Sequence, residues 1–126
     1  MNLTDMEWNV MELLWEKGQV TGREATEHME AELDWSRSTT LTHLRRMEAK
    51  GAVGSSMVDG LKTFQPLVKR EDAVLQETED FLSRIYKGSL SLMVSSLTKK
   101  QALPQDEIDE LYAILDQMKA GDSEEK

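Results

Sequence analysis

The stretch Trp35-Ser36-Arg37-Ser38-Thr39-Thr40-Leu41-Thr42-His43-Leu44-Arg45-Arg46-Met47-Glu48-Ala49-Lys50-Gly51 decides the reading of the chain. It has the marks of a single helix. Ser36 is a good N-cap, because its hydroxyl can accept an orphan amide of the first turn. Gly51 follows the last basic residue and can take the left-handed conformation that closes a helix. Between them Thr40, Leu44 and Met47 recur at helical spacing and face a core, with His43 beside them. The other side carries Arg37, Ser38, Thr39, Leu41, Thr42, Arg45 and Arg46. Short hydroxyls and guanidinium groups suit base edges and phosphates, and an exposed leucine suits a thymine methyl. The stretch is expected to be a DNA recognition helix.

Its surroundings agree. Thr4-Asp5-Met6-Glu7 is a capping box that opens a helix to about Lys17, with Met6, Val10, Leu13, Leu14 and Trp8 or Trp15 inward. Gly18 ends it, and Gln19-Val20 is a short extended piece. Thr21-Gly22-Arg23-Glu24 is a second capping box, opening a helix to about Ala31 with Ala25, His28 and Met29 inward. Two helices joined by a short connection, the second basic and rich in hydroxyls, form a helix-turn-helix outline. After Gly51 two extended runs, 52–58 and 61–66, flank Asp59-Gly60, a strong hairpin signal because both residues tolerate positive φ. Three helices followed by a hairpin outline a winged helix. Lys62, near the tip of that wing, is the expected backbone contact. Thr21 and Arg23, at the start of the preceding helix, are candidates to hold a phosphate.

From residue 71 the pattern is helical again. Residues 72–86 carry Val74, Leu75, Phe81, Leu82 and Ile85, Gly88 breaks them, and Leu90 to Leu97 with Leu92 forms a second apolar segment. After Pro104, a suitable first-turn residue, Ile108, Leu111, Leu115 and Met118 are spaced as a heptad-like seam. Three short helices bury little by themselves, so Phe81, Ile85, Leu92, Ile108, Leu111, Leu115 and Met118 are expected to pack against a second copy. The expected organisation is mainly α with a small β-hairpin. It places a winged helix-turn-helix DNA-binding domain at 1–70, a helical dimerisation region at 71–120 and a flexible acidic tail at 121–126.

Composition narrows the function. The chain has 126 residues, a net charge of −9 and no cysteine, which excludes disulfides, thiolate metal sites and cysteine nucleophiles. Residues 1–70 are nearly balanced, with nine cations against eleven anions, whereas 71–126 hold six against thirteen. Arg37, Arg45, Arg46 and Lys50 thus form a positive island in an acidic chain, and DNA affinity is expected to be modest per subunit and steeply salt-dependent. His28 and His43 lack companions at metal-ligand spacing and read as packed side chains. Asp72, Glu77, Glu79 and Asp80 read as a solvated face. No catalytic motif appears, so neither an enzyme nor a metal or cofactor is expected. The start of the chain lacks the regions of a signal peptide and no apolar run is long enough to span a bilayer; a cytoplasmic protein without membrane contact is expected.

The order of motifs resembles the penicillinase-repressor family of bacterial winged-helix repressors, which includes methicillin-resistance and copper-operon repressors. The resemblance lies in residues 3–8, in Trp35-Ser36-Arg37-Ser38-Thr39 with Thr42, Leu44, Arg46 and Met47, in residues 48–53, in Phe81 to Gly88, and in Glu107 to Leu111. It implies a homodimer that binds a palindromic operator in double-stranded DNA and blocks transcription, with the C-terminal helices holding the dimer. An upstream sensor or protease is left unnamed. In β-lactam-responsive members induction cuts an Asn-Phe bond, where this chain has Ser96-Leu97; copper-responsive members carry a cysteine-rich motif that this chain does not share. The competing reading is a winged-helix protein adaptor that does not bind DNA.

Overall fold

The computed structural model describes residues 2–124, with side chains through 121. The elements are α1 (Asp5–Lys17), β1 (Val20–Thr21), α2 (Gly22–Leu33), α3 (Arg37–Lys50), β2 (Val53–Val58), β3 (Leu61–Pro66), α4 (Arg70–Tyr86), α5 (Leu90–Lys99) and α6 (Gln105–Glu124). Among the described residues no helix is long and apolar enough to cross a membrane.

The first compact unit runs from Met1 to Thr78. Both expected capping boxes are present: Thr4 and Glu7 open α1, and Thr21 and Glu24 open α2. The core joins Val10, Met11, Leu13 and Leu14 of α1, Ala25 and Met29 of α2, Leu44 and Met47 of α3, and Val53 and Phe64 of the sheet. Two inward assignments change. Met6 is exposed and Met11 is fully buried instead; His28 is half-buried, while Thr26 behind it is buried. Met6 stands in the first turn of α1, whereas Met11 lies mid-helix beside Val10, where α2, α3 and the sheet close the core.

The hairpin forms around Asp59 and Gly60, with φ of 51° and 80° and Val58 paired to Leu61. This is the geometry of a two-residue turn with positive φ at both central positions. The short extended piece before α2 becomes a third strand: Val20 pairs with Phe64 and Thr21 with Thr63, giving the antiparallel order β1-β3-β2.

The first turns of α4 pack with this unit, although the sequence assigns them to the second region. Glu77 Oε1 accepts the Leu3 amide at 3.2 Å and Arg70 Nε donates to Glu12 at 3.0 Å. The second unit, Glu79–Lys126, holds the rest of α4 with α5 and α6. Tyr86 packs edge-on to Phe81, and its hydroxyl lies 3.0 Å from Ser96 Oγ. Residues 121–124, expected in a tail, continue α6 as helix, and 125 and 126 lie outside the described residues.

Candidate nucleic-acid interface

Helix α3 is capped as its residues demand. Ser36 Oγ accepts the Thr39 amide at 3.1 Å and lies 2.9 Å from the Thr39 hydroxyl, and Gly51 closes the helix with φ 88°. Thr40, Leu44 and Met47 are buried, and His43 is half-buried against Trp35, its Nδ1 2.8 Å from the Thr39 carbonyl. The stripe opposite that buried face is Ser38, Thr42, Arg45 and Ala49, by helical spacing. Arg46 flanks it, whereas Arg37, seven residues before the buried Leu44, is exposed at the first turn on the core-facing side. Arg46 borders a shallow hollow shared with Thr4, Asp5, Met6 and His43, on the side of the α1 N-terminus.

Several expected contacts are rearranged. Leu41 is not a free apolar contact; it is half-buried against the core. The Thr39 hydroxyl is engaged at the helix cap. Lys50 leaves the positive island: its Nζ donates to Glu7 Oε1 and Oε2 at 2.8 and 3.0 Å and to the Asn2 carbonyl at 2.8 Å. Glu7 is buried, and burial alone would push its carboxyl up. Hydrogen bonds from Lys50 and the Thr4 amide outweigh that and hold it below the ordinary carboxylate range.

Arg45 turns its Nε back to the Leu41 carbonyl at 3.4 Å. Among the described residues Arg37 and Arg46 enter no ion pair. Arg45 and Arg46 therefore remain on the outward side of α3 with Arg37 exposed at its first turn, and among the described residues no acid is paired to them.

At the start of α2, Thr21 uses its hydroxyl and amide in the capping box with Glu24. The amides of Gly22 and Arg23 have no partner in the helical ladder. The Glu24 carboxylate nearby opposes a phosphate there, and the exposed Arg23 is paired with Glu27 at 2.9 Å. Lys62 is also engaged: its ammonium is 3.6 Å from Glu48 and 5.3 Å from the Phe64 ring centroid. Glu48, the one anion of the 36–50 stretch, ties the wing to α3, accepting from Ser55 Oγ as well. The Ser55 hydrogen bond and the Lys62 charge hold the Glu48 carboxyl below its ordinary range. Nothing in the spacing of 48 to 62 signals this pairing, because only the register of β2 on β3 brings the residues together.

In the second unit the seven residues expected at a subunit interface are placed unequally. Ile108 and Leu111 are half-buried, whereas Phe81, Ile85, Leu92, Leu115 and Met118 are exposed. Leu90, Tyr112 and Ile114 are exposed as well. Among the described residues no group of His, Asp or Glu is arranged to hold a metal ion.

Comparison with known proteins places this geometry. A family model described as penicillinase repressor matches residues 3–117. The methicillin resistance regulatory protein MecI of Mammaliicoccus sciuri is 29% identical over 113 residues, covering 90% of this chain and 92% of the relative. The penicillinase repressor of Bacillus licheniformis is 29% identical over 117 residues, covering 93% and 91%. A solution structure of the Bacillus licheniformis BlaI monomeric form in complex with the blaP half-operator superposes with a TM-score of 0.53. It is 24% identical and covers 57% of this chain and 88% of that one, a likeness of fold.

Proposed function

The chain belongs to the penicillinase repressor family, and from that premise we propose that it is a DNA-binding transcriptional repressor acting as a homodimer on a two-fold symmetric operator. The observation that carries the reading is α3, a capped helix whose outward side holds Ser38, Thr42, Arg45 and Arg46, with Arg37 exposed at its first turn and neither Arg37 nor Arg46 in an ion pair among the described residues. A helix so presented fits the major groove. Ser38, Thr42 and Arg45 at the centre of the stripe face base edges. Arg46 on its flank and Arg37 at the exposed first turn meet phosphates, and Thr39 and Leu41 support the helix from its edges. The α2 start contributes the Gly22 and Arg23 amides to a phosphate, with Thr21 shaping the turn.

The exposed Phe81, Ile85, Leu92, Leu115 and Met118 support pairing with a second copy, continued by Ile108 and Leu111. Two modest sites on one duplex then act together through effective concentration. The division of labour follows: residues 1–70 read DNA and the helices beyond 70 hold the dimer.

Selection of sites from a random duplex library, followed by affinity for the winner across a salt series, tests the reading. The expected result is a symmetric site and a steep fall of affinity with salt. Failure to enrich any sequence at low salt overturns it in favour of a protein-docking role.

A further inference from the structure

The wing is not built like a phosphate clamp. Its one cation near the tip, Lys62, is paired with Glu48, and the turn carries the carboxylate of Asp59. Around that turn the exposed side chains are apolar: Met57 is 68% exposed, Leu61 59% and Val58 38%. Met57 pairs with Lys62 across the hairpin and Val58 with Leu61, so both faces of the tip carry apolar groups. The hairpin is held beside the recognition helix by the bonds from Ser55 and Lys62 to Glu48. The tip is thereby fixed next to α3.

Resting on the repressor reading, we propose that the hairpin tip, with Met57 on one face and Leu61 on the other, acts as an apolar wedge that enters the minor groove flanking each half-site and partly unstacks a base step there. Unbranched or γ-branched apolar side chains serve this role in minor-groove binders, where contact with sugar and base faces replaces charge. The wedge confers preference through deformability, favouring pyrimidine–purine steps, which unstack most easily. Asp59 is the opposing feature, since its charge lies near phosphates when the tip is seated.

The test uses the full chain and the operator obtained by selection. Met57→Ala and Leu61→Ala are each expected to weaken binding about tenfold, from the apolar area no longer buried. The slope of affinity against salt stays unchanged, because no phosphate charge is released or gained. Asp59→Asn, which keeps the left-handed turn residue, is expected to tighten binding about threefold at low salt. With 2-aminopurine walked through the flanks, fluorescence rises on binding of the wild type and stays low with Met57→Ala. If Met57→Ala, Leu61→Ala and Asp59→Asn all bind like the wild type, the tip is away from DNA and the wedge is overturned. A flattened salt slope in Leu61→Ala overturns it too. Wild-type protein that binds no duplex at low salt removes the repressor reading itself, an outcome separate from neutral wing variants on a protein that binds.

Discussion

Arg45 and Arg46 are adjacent and alike in charge, yet α3 gives them different surroundings. Arg45 lies within the outward stripe with Ser38 and Thr42, and Arg46 lies on its flank toward the start of α1. Arg45→Ala is therefore expected to cost about 1–3 kcal/mol on the selected operator and relax preference at one base pair. Arg46→Ala is expected to weaken binding to all sequences alike and reduce the salt slope by about one. Titrations on selected and scrambled duplexes across salt separate the two; the reverse pattern exchanges the roles. Glu7 and Lys50 matter for a different reason. Glu7 has a folded-state pKa below its unfolded value, so its contribution to stability is full above the ordinary carboxylate range. It is lost as pH falls through that range and the folded value. Glu7→Gln is expected to cost about 2 kcal/mol at neutral pH and to flatten the acid limb of a stability–pH curve, leaving the part due to Glu48. Urea unfolding from neutral to acid pH checks it. An unchanged limb shows that the pair contributes nothing.

At the scale of elements, caps and turns were legible because they are local chemistry. Thr4 and Glu7, Thr21 and Glu24, Ser36, Gly51 and the Asp59-Gly60 turn all stand where their residue types place them. Ser36→Ala removes the acceptor for the Thr39 amide, and with it the partner of the Thr39 hydroxyl. It is expected to lower stability by about 1 kcal/mol, read as a shift in the urea midpoint without a change in slope. A midpoint that does not move means that water caps α3 equally well. Less legible was the choice of side chain within an amphipathic arc, as Met11 in place of Met6 and the half-buried Leu41 show. Periodicity sets which face turns inward, but the neighbouring helix decides how wide that face is.

For the whole molecule, the charge imbalance and the exposed apolar side chains beyond residue 78 belong together. An acidic chain of net −9 opposes DNA except at α3, and the proposed pairing would double the number of such islands on one duplex. Leu115 and Met118, 51% and 63% exposed, test the pairing at side chains that are mostly outside the chain's own packing. Leu115→Asp combined with Met118→Asp is expected to give monomers in sedimentation and at least about tenfold weaker operator binding. A dimer that persists in that variant places the interface elsewhere.

The sequence alone determined the order of elements, the capped recognition helix, the hairpin turn and the family resemblance that the comparisons bear out. All of these are written in contacts between residues a few positions apart, or in motif order along the chain. Tertiary structure decided which charges remain available. Lys50 is drawn to Glu7 and Lys62 to Glu48, leaving Arg37, Arg45 and Arg46 on the reading helix and an apolar tip on the wing. A charge finds its partner across space, over 43 residues in one case, and helix packing and strand register bring such partners within reach.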